Sequence, residues 1–107
     1  MLEVRIRPRA QLDLESIYLH IAVSQDRPAA ADKVLDEIYH AIALTAEFPE
    51  RGQAYRNESL EHTYQKVLVG NYWVFYTSGE ELDVWRVLHA RRDIDDATLA
   101  DLSVGGE

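Results

Sequence analysis

Hydrophobic and polar residues change their spacing several times along this chain, and each change marks an element. Leu2, Val4 and Ile6 alternate with Glu3, Arg5 and Arg7, the two-residue period of a half-buried strand, and Pro8 ends the run. From Pro8 the period lengthens. Ala10, Leu14, Ile17, Tyr18, Ile21 and Ala22 share a helical face, with Asp13, Glu15 and Ser16 outside it. The spacing predicts a helix over 8–25. Pro8 suits its first turn, where a missing N–H costs nothing, and Asp13 and Glu15 lie early, where carboxylates complement the helix dipole. Gln25-Asp-Arg-Pro28 breaks this helix. Asp26 is placed to cap a second one, which opens at Pro28 and runs to about Glu47. Its apolar line is Ala31, Val34, Leu35, Ile38, Ala41, Ile42 and Thr45. Two long helices with so short a connection pack antiparallel.

Beyond Phe48-Pro-Glu-Arg-Gly52 the pattern returns to strands. Residues 53–63 are polar and read as an exposed connection with room for a short turn of helix. Tyr64–Val69 is a strand, Gly70-Asn71 a two-residue turn, and Tyr72–Thr77 a second strand rich in aromatic and β-branched residues. Ser78-Gly79-Glu80 is turn material, with Gly79 free to take a positive φ, and Leu82–Ala90 is the return strand. A short helix from Ala97 to about Leu102, capped by Asp95 or Asp96, closes the chain. The order β-α-α-β-β-β is an α+β arrangement: an antiparallel sheet packed by a helical hairpin, with the first strand beside one strand of the meander.

The meander is apolar on both faces. Tyr72, Val74 and Tyr76 lie on one, Trp73 and Phe75 on the other; in the return strand Trp85 and Val87 oppose Val84 and Leu88. A sheet covered on one side only shows polar residues on the other. The helical hairpin covers one face, so the terminal segment or a partner protein is expected on the second.

At 107 residues the chain is read as a single domain, 1–107. It has no cysteine, which removes disulfides and thiolate metal sites, and no metal-ligand spacing among its four His, so no cofactor is expected. No apolar run is long enough to span a bilayer, and the first twenty residues lack an apolar signal core, so the expected location is the cytoplasm. The net charge of −8 disfavours a phosphate backbone, and direct DNA binding by this chain alone is not expected. A local basic spot would need Lys66, Arg86, Arg91 and Arg92 to converge; the other reading pairs these Arg with nearby acids.

Several strings, in this order and spacing, resemble the RelE/ParE toxin superfamily. They are Ala10-Gln-Leu-Asp-Leu-Glu-Ser-Ile-Tyr18, Pro28-Ala-Ala-Ala31, Phe48-Pro-Glu-Arg-Gly52, Tyr72-Trp-Val-Phe-Tyr76 and Val84-Trp-Arg-Val-Leu-His-Ala-Arg-Arg-Asp-Ile94. The resemblance implies the toxin of a bacterial type II toxin–antitoxin system of plasmid-stabilisation type, neutralised by a cognate antitoxin. Two mechanisms are open. The ParE-like one inhibits DNA gyrase by binding. The RelE-like one cleaves mRNA on the ribosome, which needs a base, cations for the phosphorane charge and a proton donor. For cleavage the candidates are Lys66, Arg86 and His89. For contact with antitoxin or target they are Trp73, Phe75, Trp85, Arg86, His89, Arg91 and Arg92. The chain departs from the nuclease pattern. It is acidic, its strands offer only Lys66, and Trp73 stands where the family usually has Arg. These features favour the ParE-like reading. They also leave open a toxin fold that has lost toxicity. His89 at a strand end equally suits a hydrogen bond to backbone, and Arg91 and Arg92 could simply close the strand.

Overall fold

The computed structural model describes residues 1–56 and 63–91. The elements are β1 (Glu3–Ile6), α1 (Pro8–Leu19), α2 (Pro28–Glu47), β2 (Gln53–Tyr55), β3 (Tyr64–Val69), β4 (Tyr72–Ser78) and β5 (Glu81–His89). The five strands form one sheet in the order β1-β5-β4-β3-β2, antiparallel except for the parallel β1–β5 pair. The architecture is α+β, with the helical hairpin on one face of the sheet. The short helix expected over 97–102 lies outside the described residues.

The two helices form for the reasons their spacing gives. Ala10 and Leu14 are buried on the first, Ile21 just beyond it, and Ala31, Ile38, Ile42, Thr45 and Ala46 on the second. Ala10, Leu14, Ile38, Ile42 and Ala46 meet Val67, Val74, Tyr76, Leu82, Val84 and Val87 of the sheet in the main core. α1 does not reach Gln25 as a regular helix: it ends at Leu19 and widens into a π-helical turn, His20–Ser24, where the Gln25 N–H donates to the His20 carbonyl. Asp26 does not cap α2. Arg27 holds that position without a side-chain hydrogen bond, while Asp26 takes a left-handed φ of 52° in the turn.

Three differences in the sheet matter. The segment after Gly52 is not all connection, because Gln53–Tyr55 pairs with Tyr64–Lys66 and adds an edge strand. Among the turn glycines, the positive φ falls on Gly70 (57°) between β3 and β4, not on Gly79. And β5 carries one extra residue opposite β4: Phe75 faces Arg86 while Tyr76 faces Val84, so Trp85 is bulged. A one-residue bulge reverses the alternation beyond it. Val84 and Val87 therefore share the helix-covered core, whereas Trp85 and Leu88 join the cluster on the opposite face. Strict alternation had paired them the other way.

Tyr76 fastens the strap between α2 and β2. Its hydroxyl donates to the Pro49 carbonyl at 2.7 Å and accepts from the Gly52 N–H at 2.9 Å. A Cβ on Gly52 would run into the Tyr76 ring and hydroxyl, so glycine is needed here for the close approach.

Candidate functional site

β5 supplies most of the candidate residues, and its neighbours determine what each can do. Beyond Ile6 the first strand no longer covers β5, and α1 crosses there. Asp13 projects from α1 onto Arg86. Its Oδ2 accepts from Arg86 Nε at 2.8 Å and from the Val87 N–H at 2.9 Å, and its Oδ1 accepts from Arg86 Nη2 at 3.0 Å. Asp13, expected on the outer face of its helix, thus completes the hydrogen bonding of a strand. Arg86 is 3% exposed. Its guanidinium is a fork matched to one carboxylate, the geometry in which Arg is strongest.

Arg7 departs from expectation in the same region. Alternation placed it outward with Glu3 and Arg5, yet it is buried, with its guanidinium carbon 4.8 Å from the centre of the Trp85 ring and Nη1 3.6 Å from Asp83. Arg5 keeps the outer position and bonds both Glu81 and Asp83 at 2.9 Å. These acids hold its guanidinium more firmly protonated, the Asp83 hydrogen bond contributing most.

The face opposite the helices carries its own cluster. Phe75, Tyr64 and Leu88 are buried, and Tyr55, Trp73 and Trp85 pack partly buried around them. Tyr55 meets Phe75 edge-on at 5.5 Å, Tyr64 meets Trp85 edge-on at 6.3 Å, and the Trp85 indole N–H donates to Thr77 Oγ1 at 2.9 Å. The doubly apolar strand is real, but Phe75 is wholly interior rather than on a surface. Lys66 lies over the rings of Trp73, at 4.0 Å, and Tyr55, at 5.1 Å, so its ammonium is held by aromatic faces.

His89 belongs to the other side of the sheet. Its ring stands edge-on to Tyr72 at 5.1 Å, and Tyr72 packs on the helix-covered core. Nδ1 accepts the Arg91 N–H at 3.0 Å, the backbone bond foreseen for a strand-end His. Lys66 is stacked on aromatic rings and Arg86 is locked to Asp13, both in register with Phe75, while His89 shares a cleft with Asp13 on the helix side of the sheet. Arg91 is exposed just past β5. Arg92 lies outside the described residues.

This arrangement can be set beside known proteins. The family model for the ParE toxin of type II toxin–antitoxin systems matches residues 4–94. The chain belongs to the ParE toxin family. It is the toxin of a type II toxin–antitoxin system. Among curated relatives, Toxin ParE1 of Mycobacterium tuberculosis, in two strains, is 36% identical over 94 residues, covering 84% of this chain and 91% of the relative. Toxin ParE1 of Caulobacter vibrioides is 33% identical over 85 residues, covering 79% and 85%. A solved structure described as the chromosomal ParDE system from P. aeruginosa superposes with a TM-score of 0.69 at 18% identity, covering 85% of this chain and 98% of that one, which supports the shared fold.

The ParE fold places one surface that the apolar pattern did not single out. A groove of about 470 Å³ runs along the helical hairpin, lined by Leu14, Tyr18, Leu19, Leu35 and Tyr39 among others. Leu19 is 58% and Tyr39 45% exposed, while Leu12 and Val23 are also open to solvent on the same hairpin. The signal was in the sequence: Leu12, Leu19, Val23 and Tyr39 fall off the apolar line of their helices. Asp32 lies against Tyr18 at one side of this groove and holds the phenol's pKa above its usual value, by charge first and hydrogen bonding second.

Proposed function

We propose that this ParE-family toxin acts in the cytoplasm by binding DNA gyrase, and that a cognate antitoxin neutralises it by covering the α1–α2 groove. One observation carries the mode of action. The central cation that an RNA-cleaving mechanism would enlist, Arg86, is committed to Asp13 by two hydrogen bonds. A group that must meet a phosphorane charge cannot also be the buried partner of a carboxylate without breaking that pair. Binding requires no such group. The groove on the hairpin favours an antitoxin segment of helical or extended form with apolar anchors, since its lining is chiefly Leu and Tyr. It suits such a segment better than the sheet face around Phe75, whose centre is closed.

The decisive experiment uses the purified toxin in a gyrase supercoiling assay, with toeprinting on translating ribosomes alongside. Loss of supercoiling with intact mRNA is the expected result. Unimpaired supercoiling with cut mRNA overturns the reading, and normal growth on expression without antitoxin would mark a toxin fold without toxicity.

A further inference from the structure

A second cleft, unrelated to the apolar groove, opens where the π-helical turn, the start of α2 and the β3–β4 turn meet. It measures about 410 Å³, and its walls include His20, Gln25, Arg27, Lys33, Tyr72 and His89. Its charge is opposite to that of the chain. The neighbouring groove on α2, which shares Lys33 and Glu37 with this cleft, sets Asp32, Asp36 and Glu37 against Lys33 and Arg51, and the one at the β4–β5 turn sets Glu80, Glu81 and Asp83 against Arg5. This cleft brings together two permanent cations and two imidazoles against one carboxylate, Glu37.

The cations here are also uncommitted. Arg5 and Arg86 are ion-paired, Lys66 is stacked on rings, and Arg51 is bonded to Ala41 O and Thr45 Oγ1. Arg27 and Lys33 form no ion pair with any described residue. In a chain of net charge −8, with acids in excess nearby, two cations at the start of α2 that face one cleft without an ion pair are unexpected for solubility alone.

The imidazoles are oriented as donors. The Nδ1 of His89 accepts the Arg91 N–H, which places the proton of the neutral ring on Nε2. At His20 the Gln25 amide nitrogen lies 3.3 Å from Nε2, and the tautomer that accepts from this amide carries its proton on Nδ1. In these tautomers each ring keeps one N–H to give. Burial raises the Tyr72 pKa, so its phenol also stays a donor. Two cations and several convergent N–H and O–H donors match a compact dianion with three oxygens better than a single carboxylate. The volume is that of a small-molecule site.

We propose that this cleft binds a small phosphomonoester, with Arg27 and Lys33 neutralising the phosphate and His20 and His89 donating to its oxygens. The site is independent of toxicity and is tested on the purified full chain. Amide and imidazole NMR signals are followed during titration with inorganic phosphate, adenosine monophosphate, glutamate and a single-stranded oligonucleotide lacking terminal phosphate. Phosphate and adenosine monophosphate should give the same saturable shifts at His20, Lys33, Asn71 and His89, with glutamate much weaker. The Arg27→Gln/Lys33→Gln double variant, both positions exposed, should fold normally and bind at least tenfold more weakly. Absence of saturable shifts, equal shifts with glutamate, unchanged affinity in the double variant, or tighter binding of the oligonucleotide would each overturn the assignment.

Discussion

Asp13 and Arg86, 73 residues apart, share two hydrogen bonds of 2.8 and 3.0 Å and are both largely screened from water. The same carboxylate also takes the Val87 N–H. One side chain thus joins α1 to β5 through charge and through backbone.

Removing one partner leaves the other charge buried. Asp13→Asn should lower stability by about 3–5 kcal/mol, read from denaturant unfolding. A double variant, Asp13→Leu with Arg86→Met, should recover much of that loss, because a neutral, packed pair leaves no uncompensated charge. If each single change costs under ~1 kcal/mol, the pair does not hold the helix to the sheet.

Gly52 and Tyr76 give a steric counterpart. Gly52→Ala should destabilise by about 1–3 kcal/mol through overpacking. Adding Tyr76→Phe should relieve part of this, since it removes the hydroxyl that the new methyl meets. Thermal melts of the two single variants and the double variant form the cycle. Full additivity would show that Gly52 is needed for its backbone and not for space.

Stability should also fall at high pH. Burial raises the pKa of Tyr72 and Tyr76 above the usual value of 10.0. A phenol with a raised folded-state pKa stabilises fully below the unfolded value. That contribution is lost as pH climbs through the folded value, because the unfolded chain gives up the proton more easily. Unfolding free energy should therefore decline above about pH 10. In Tyr76→Phe the decline should be shallower, from a lower starting point, since Pro49 and Gly52 lose their partner.

The two surfaces of the toxin should separate in function. Leu19→Glu or Tyr39→Glu should weaken co-purification with antitoxin at least tenfold while growth arrest persists. Lys66→Gln should alter the emission of Trp73, cost under ~1 kcal/mol, and leave toxicity unchanged. Loss of growth arrest in folded Lys66→Gln would restore the RNA-cleaving alternative.

Much of this fold was legible in the residues. The bounds of α2 and β3 follow directly from apolar spacing, Pro28 and Gly70. The strand Tyr72–Ser78 declared its two apolar faces. What the pattern could not carry was non-local. Gln53–Tyr55 is too short and polar to read as a strand until Tyr64–Lys66 lies beside it. The Trp85 bulge leaves no mark in composition, so alternation assigned Val87 and Leu88 to the wrong faces. Asp13 and Arg7 look solvent-facing by period, and only the arrival of β5 gives each its partner. The site followed the same rule: the family string from Val84 to His89 was visible, but that Arg86 is tied up within the fold was not.

β5 lies between β1 and β4, yet among the described strands it is the last to be synthesised. A ribosome that has completed everything up to Glu80 has made α1, α2 and β1 to β4 without the strand that joins them. β1 has no neighbour, β4 has one open edge, and Asp13 has no cation. Contacts of such long sequence separation form late and together. Chains interrupted before His89 should therefore emerge unstructured and harmless, and a premature stop codon or frameshift within the codons of β5 should silence the toxin as completely as one within those of β1.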